Sequence, residues 1–266
     1  MRKRCAWFIP ILLIPMLLSF ALNILLFNQA KRYYSELNEV RLDPLGINGY
    51  SDAPSDASDH SFSVLFYGDS RAANWPAPEA DSSVVFLNRG IASQTTAQVK
   101  LRFQYDVAPI KPQRVILQVG INDLKTIPLF PERKAAIIAT CEDNIRQIVL
   151  LTKALGATVI LTTIFPVGNV PLERIPFWSG DVQIAIDEVN DYIRTLAEEQ
   201  VIIFDAYSVL ADANGLMQSR YREDELHINT AGYDALNQAL FLQMKSLPTE
   251  LSFSSQEQGL PELPSK

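Results

Sequence analysis

The chain of 266 residues contains few cysteines and few histidines. It has two cysteines: Cys5 lies before an apolar run, and Cys141 lies in a helical pattern among apolar residues. We expect no disulfide between them, and we interpret Cys141 as a small buried side chain rather than a nucleophile. It also has two histidines. Because His60 lies in a polar stretch, His227 is the one candidate for a catalytic base.

A clustered basic face is also missing, and the formal net charge is −7. Binding to phosphates or nucleic acid depends on such a face, so we expect no DNA or RNA partner. We find no internal repeat. The length allows one domain or at most two, and 48% hydrophobic residues is enough for a buried core.

An almost continuously apolar run covers residues 6–27. As a helix it would be roughly 33 Å long, enough to cross a bilayer core of about 30 Å. The basic cluster at residues 2–4 favours a cytoplasmic N-terminus, whereas Lys31 and Arg32 on the other side weaken that preference. A cleaved signal peptide is the alternative. We favour an uncleaved anchor because the small-residue pattern at residues 19–21 lies inside the apolar run rather than after it.

Composition then divides the chain into four parts. Residues 1–30 are predicted to be a membrane anchor, and residues 31–60 a polar linker. Residues 61–245 are predicted to be a folded domain, and residues 246–266, rich in Ser, Gln, Glu and Pro, a disordered tail. We therefore expect a single-pass membrane protein with an extracytoplasmic domain, which would be secreted if the anchor were cleaved.

Apolar runs alternate with helical patterns along the folded domain. The runs are too continuously apolar to have one wet face, which favours buried parallel strands. The predicted strands are residues 62–67, 84–88, 114–119, 158–164 and 201–205. This alternation predicts a three-layer α/β/α sandwich with a mostly five-stranded parallel sheet.

Polar residues follow the first three predicted strands. Ser70 comes after the first, Gly90 after the second and Asn122 after the third. Because ligands bind beyond the carboxyl ends of parallel strands, these three residues should meet at one edge of the sheet. His227, with Asp224 three residues before it, lies in the loop that precedes the last helix and can fold back over that edge.

Four short blocks in this order resemble the SGNH hydrolase superfamily, also called the GDSL esterases and lipases. They are Gly-Asp-Ser at 68–70, Asn-Arg-Gly at 88–90, Gly-Ile-Asn-Asp at 120–123 and Asp-Glu-Leu-His at 224–227. The resemblance covers about residues 62–245. It implies a flavodoxin-like fold and ester hydrolysis without a metal or an organic cofactor.

The resemblance also implies a role for each block. Ser70 would be the nucleophile, His227 the base and Asp224 the carboxylate that orients it. The backbone N–H groups of Ser70 and Gly90 and the side-chain amide of Asn122 would form the oxyanion hole. Taken singly, these residues have structural interpretations as well, such as a helix cap at Ser70 or Asp69, a tight turn at Gly90 and ordinary loop residues at Asn122, Asp224 and His227.

Two features depart from the family pattern or extend it. Arg71 replaces the leucine of the GDSL motif, and we interpret it either as a substrate contact or as a surface arginine paired with an acidic residue. Residues 165–180 are too long for a simple connection. In this segment Phe177 and Trp178 could contact the substrate, or they could pin a surface loop to the domain.

These predictions combine into a membrane-anchored serine esterase. Its substrates would be short acyl esters of a cell-surface glycan, a lipid or a small molecule. One alternative is an O-acyltransferase that uses the same triad to acylate a sugar hydroxyl, and another is a noncatalytic surface module. The sequence does not indicate an oligomeric state.

Overall fold

A computed structural model describes residues 8–47, 62–78 and 84–245. The predicted tail at 246–266, residues 48–60 of the predicted linker with His60 among them, Cys5 and the basic cluster at 2–4 lie outside the described residues. The chain divides into two compact units, residues 1–48 and residues 49–266.

The first unit is built on one helix, α1 (Phe8–Leu42), of 35 residues. From Leu13 to Leu42 it is long and apolar enough to cross a membrane, and its apolar side chains are exposed. Residues 31–42, which belong to the predicted polar linker, continue α1 as a helix. Good helix formers and an ion pair between Arg32 and Glu36 support this extension, and the helix ends two residues before Pro44.

The second unit contains a five-stranded sheet in the order β2-β1-β3-β4-β5, with every pairing parallel. The strands are β1 (Phe62–Gly68), β2 (Val84–Gly90), β3 (Arg114–Gln118), β4 (Thr158–Thr162) and β5 (Val201–Phe204). The predicted α/β fold with a five-stranded parallel sheet is confirmed. The predicted strands match these five to within two residues at each end.

Helices and short 3₁₀ turns connect the strands. The helices are α2 (Ser70–Ala73), α3 (Thr96–Asp106), α4 (Ile121–Leu124), α5 (Lys134–Ala154), α6 (Asp181–Thr195), α7 (Ala206–Leu210) and α8 (Thr230–Lys245). Alternate strand residues face opposite sides of the sheet. On one side, Leu65 and Leu117 pack with the apolar faces of α3, α5 and α6. On the other, Phe66 and Ile116 pack with α7 and α8, which gives three layers.

Strand register brings three loops to one edge of the sheet. Gly68 at the end of β1 is paired with Gly90 at the end of β2 and with Gln118 at the end of β3. The residues that follow these strands therefore leave the sheet side by side. This is the carboxyl edge, where ligands bind in parallel sheets.

Candidate active site

The turn after β1 places Ser70 at the start of α2. Gly68 has a φ of +150°, and a Cβ atom there would lie 1.8 Å from the carbonyl oxygen of Gln118, so only glycine fits. Asp69 then caps α2, because its Oδ1 accepts a hydrogen bond from the Arg71 N–H at 2.9 Å. Since Asp69 fills the capping role, the Ser70 hydroxyl is left for another contact.

That contact is with His227. The Oγ atom of Ser70 lies 3.0 Å from Nε2 of His227, although the two residues are 157 positions apart in sequence. Nδ1 of the same ring lies 2.8 Å from Oδ2 of Asp224. A hydroxyl, an imidazole and a carboxylate are therefore linked in series by hydrogen bonds, which is the arrangement that activates a serine nucleophile.

The loop that carries Asp224 and His227 is organised by Asp224 itself. Its Oδ1 accepts hydrogen bonds from the backbone N–H groups of Leu226 at 2.7 Å and His227 at 2.6 Å. Partial burial raises the pKa of Asp224, but the hydrogen bonds from His227 and Leu226 outweigh this effect and hold the pKa below its ordinary value. Asp224 is therefore a carboxylate at neutral pH.

Asn122 lies on the adjacent loop, in α4, and is buried. Its Nδ2 donates to the carbonyl oxygen of Gln94 at 3.0 Å, which connects the loop after β3 to the loop after β2. Asp123 makes a second link between the same two loops. Its Oδ2 accepts a hydrogen bond from the Thr96 N–H at 2.8 Å, and its Oδ1 accepts one from the Thr96 hydroxyl at 2.7 Å. The amide of Asn122 is thus held in one orientation.

The structure corrects the role expected of Gly90. Its N–H donates to Oδ1 of Asn88 at 2.8 Å, an i to i+2 bond of the kind that Asn side chains commonly make. Nδ2 of Asn88 in turn donates to the carbonyl oxygen of Ala72 in α2 at 2.8 Å. A Cβ atom on Gly90 would lie 2.2 Å from the backbone nitrogen of Ala73. Glycine is therefore needed here so that β2 can approach α2, and its N–H is already engaged.

The structure also corrects both interpretations of Arg71. The side chain is 0% exposed. Its Nε donates to the carbonyl oxygen of Leu226 at 2.9 Å, and Nη1 to that of Phe165 at 3.2 Å. Burial lowers the pKa of Arg71 to about 10, so it stays a cation at neutral pH. Because it lies beneath the surface, Arg71 is neither a surface ion pair nor in contact with a substrate.

A second buried arginine, Arg102 in α3, was not anticipated from the sequence. Its guanidinium donates to the carbonyl oxygens of Gly68 and Arg89, both at 2.8 Å, to Oε1 of Gln94 at 2.5 Å and to Oδ2 of Asp106 at 2.6 Å. It therefore joins the ends of β1 and β2 to the loop that orients Asn122. The one signal in the sequence was the spacing of Arg102 and Asp106, four residues apart.

The loop after β4 meets the acid and base loop. Nε of Arg174 lies 3.2 Å from Oε1 of the buried Glu225, and the Gly168 N–H donates to the Glu225 carbonyl oxygen at 2.9 Å.

Trp178 is partly buried against the main apolar cluster, as expected of a residue that pins the loop. Phe177 is 58% exposed. Within the described residues, no group of three or more His, Cys, Asp or Glu side chains is arranged to hold a metal ion.

Comparison with known proteins identifies the family of the chain. A family model described as GDSL-like Lipase/Acylhydrolase matches residues 47–235, which include all four sequence blocks. The chain belongs to the GDSL-like lipase/acylhydrolase family. As a GDSL acylhydrolase it is an enzyme that hydrolyses esters. This assignment confirms the resemblance to SGNH hydrolases seen in the sequence.

Individual relatives support the same assignment. An acetylxylan esterase of Geobacillus stearothermophilus is 29% identical to this acylhydrolase over 175 residues, which is 63% of this chain and 74% of the esterase. A crystal structure of that organism's acetylxylan esterase superposes with a TM-score of 0.53 at 25% identity and covers 68% of this chain and 93% of the other. A GDSL-like lipase of Bacteroides thetaiotaomicron shares the fold, with a TM-score of 0.58 at 21% identity, and covers 76% and 98% of the two chains.

Proposed function

We propose that this acylhydrolase removes short acyl groups, in particular acetyl groups, from sugar hydroxyls by means of Ser70, His227 and Asp224. The observation that carries the proposal is the 3.0 Å separation between Oγ of Ser70 and Nε2 of His227, with Asp224 bonded to the other ring nitrogen. A base within hydrogen-bonding distance of a hydroxyl can take its proton as the hydroxyl attacks.

The reaction proceeds in two halves. In the first, Oγ of Ser70 bonds to the acyl carbon, Nε2 of His227 takes the hydroxyl proton, and the C–O bond to the sugar breaks as His227 protonates the leaving oxygen. In the second, His227 takes a proton from water as the water oxygen bonds to the acyl carbon, the bond from that carbon to Oγ of Ser70 breaks, and His227 returns the proton to Oγ as the carboxylic acid leaves. Asp224 stays ionised and holds the ring with its Nδ1–H directed at the carboxylate.

Two donors are suited to the oxyanion that forms in each half. Ser70 is the first residue of α2, so its N–H has no acceptor within the helix. Nδ2 of Asn122 carries two hydrogens, of which one is bonded to the Gln94 carbonyl oxygen, and the second is left for the substrate. Because these donors are fixed before the reaction, they can stabilise the charge without reorganising.

The proposed substrate class rests on the acetylxylan esterase relative.

We also propose that α1 anchors the enzyme in a membrane, with the catalytic domain outside the cytoplasm. A helix of 35 residues is about 52 Å long, so it would cross a bilayer core of about 30 Å and project beyond it. The substrate would then be a glycan of the cell envelope. Recovery of the full chain from membranes only with detergent supports the anchor, whereas recovery in a high-salt wash contradicts it.

The test uses the full chain in detergent, a chromogenic acetate ester and acetylated xylo-oligosaccharides. We expect acetate release by the wild-type chain and none above background by Ser70→Ala. Turnover that depends on an added sugar acceptor, with the acetyl group recovered on that sugar, would show an acyltransferase instead. No turnover by the wild-type chain, together with no labelling of Ser70 by an organophosphonate, would show a noncatalytic module.

A further inference from the structure

Arg71 directly follows the proposed nucleophile, and its buried side chain contacts the loop that carries the acid and the base. Nε of Arg71 donates to the carbonyl oxygen of Leu226 at 2.9 Å, although the two residues are 155 positions apart. The leucine usual in the GDSL motif has no donor for such a bond. The substitution therefore adds a contact between two parts of the site.

The contacted carbonyl belongs to the peptide group between Leu226 and His227. The N–H of that same peptide donates to Oδ1 of Asp224 at 2.6 Å. A donor bonded to the oxygen of a peptide polarises it and strengthens the bond made by its N–H. Arg71 is thus connected through one peptide group to the carboxylate that orients the base.

The hydrogen bonds continue from Asp224 back to the start. Oδ2 of Asp224 holds Nδ1 of His227 at 2.8 Å, and Nε2 of His227 lies 3.0 Å from Oγ of Ser70. Ser70 is covalently bonded to Arg71. The residues therefore form a closed ring, in which a shift of the loop relative to α2 would disturb the two bonds that join them, Arg71 to Leu226 and Ser70 to His227.

The guanidinium is itself fixed by its surroundings. Nη1 donates to the Phe165 carbonyl oxygen at 3.2 Å, and the guanidinium carbon lies 5.1 Å from the centre of the Phe165 ring. The backbone oxygen of Arg71 accepts from the Tyr233 hydroxyl at 3.0 Å. Because both ends of Arg71 are held, the residue can act as a rigid spacer between α2 and the loop.

We propose that Arg71 is a positioning residue: it holds the Leu226–His227 peptide so that the Asp224 carboxylate and the His227 ring stay aligned with Ser70. It does not touch the substrate and acts through the two loop residues. This inference rests on the proposed function, because it concerns the efficiency of that same triad. A misplacement of about 1 Å caused by a change away from the reacting atoms can cost on the order of a hundredfold in rate.

The test is a double-mutant cycle for kcat on an acetate ester, with the full chain in detergent. It compares the wild type, Arg71→Met, Asp224→Ala and the double variant. If Arg71 acts through Asp224 and His227, Arg71→Met lowers kcat roughly tenfold to a hundredfold in the wild-type background with little change in KM. In the Asp224→Ala background, Arg71→Met should lower kcat by less than about threefold, because the group through which Arg71 acts is gone. Equal costs in the two backgrounds would overturn the inference.

Two further variants separate positioning from folding. Ser63→Ala removes the hydrogen bond from Oγ of the buried Ser63 to Oε1 of Gln113, 2.7 Å long, at the start of β1 and away from the ring of bonds, so it should lower the unfolding midpoint while kcat stays within about threefold. Arg71→Lys keeps the cation and should recover part of the kcat lost in Arg71→Met; if Arg71→Met does not fold, Arg71→Lys takes its place in the cycle. Absence of turnover by the wild-type chain would overturn the proposed function. If the wild type turns over but Arg71→Met lowers kcat by the same factor in both backgrounds, only the role of Arg71 is overturned.

Discussion

Nδ2 of Asn122 donates to the carbonyl oxygen of Gln94 at 3.0 Å, so a side chain from the loop after β3 is oriented by the loop after β2. Asn122 is 3% exposed and lies in a four-residue helix whose other contacts also fix it. This bond leaves one amide hydrogen for a ligand at the edge where Ser70 lies. The amide is therefore oriented before any substrate arrives.

The first prediction concerns this amide. Asn122→Ala should lower kcat by roughly a hundredfold to a thousandfold, because one oxyanion donor is lost. Steady-state kinetics on an acetate ester checks the loss. Asn190→Ala is a matched control: Asn190 is also a buried asparagine, bonded to the N–H and carbonyl of Ile164 at 2.6 and 3.0 Å, but outside the site. The Asn190→Ala variant should be less stable than the wild type and keep its kcat. Equal losses of kcat in the two variants would contradict a role for Asn122 in catalysis.

The second prediction concerns Arg102. Arg102→Met should lower the free energy of unfolding by about 3–5 kcal/mol, because it leaves the buried Asp106 carboxylate without its cation. Urea unfolding followed by circular dichroism measures this loss. The exposed pair Arg146 and Asp143, 2.6 Å apart, provides the control, since Arg146→Met should cost less than about 1 kcal/mol. A loss for Arg102→Met as small as that of the control would contradict its role in joining the loops.

The third prediction is a pH dependence at Asp69. Burial raises the pKa of Asp69 to about 6, partly offset by Arg71. Because the folded state holds this proton more tightly than the unfolded state does, the contribution of Asp69 is fully present below about pH 4 and is lost as the pH rises through about 6. The difference in pKa corresponds to roughly 3 kcal/mol.

Asp69→Asn cannot titrate at this position, so it isolates the effect. The free energy of unfolding of the wild type minus that of Asp69→Asn should fall between about pH 4 and pH 6 and then stay level. Urea midpoints across this range measure the difference. A difference that is constant, or that increases with pH, would show that the carboxyl is not perturbed in the folded protein.

The fourth prediction separates the two aromatic residues of the loop after β4. Phe177→Ala should change the preference among acyl chains or alcohols and leave stability unchanged, because Phe177 is 58% exposed. Trp178→Ala should lower the unfolding midpoint, because Trp178 packs against the apolar cluster. A panel of esters and thermal unfolding test the two variants together. Unchanged selectivity for Phe177→Ala would exclude Phe177 from the substrate pocket.

The sequence was sufficient to predict the sheet and the convergence of the polar blocks. Continuous apolar runs identify parallel strands, and the carboxyl ends of parallel strands lie at one edge whatever the details of the helices. For the same reason, Ser70 and Asn122 could be placed on neighbouring loops. The buried face of α8 also follows from spacing, because Tyr233, Leu236 and Leu240 recur every three or four residues and all are buried.

Contacts of single side chains were beyond prediction from the sequence. Asn88 and Gly90 belong to one block, but spacing does not show that the Asn88 side chain takes the Gly90 N–H. Arg71 looked like a surface residue because charged side chains are almost never fully buried without partners, and its partners are backbone carbonyls from distant loops. The helical extension of α1 was missed because polarity alone does not distinguish an exposed helix from a linker.

The most direct test of the central claim is to label the full chain with an organophosphonate and locate the modification by mass spectrometry while ester turnover is followed. If Ser70 is activated by His227, one phosphonyl group should form on Ser70, turnover should fall in proportion, and His227→Ala should abolish labelling. Modification at another residue, or turnover that persists in Ser70→Ala, would contradict the account.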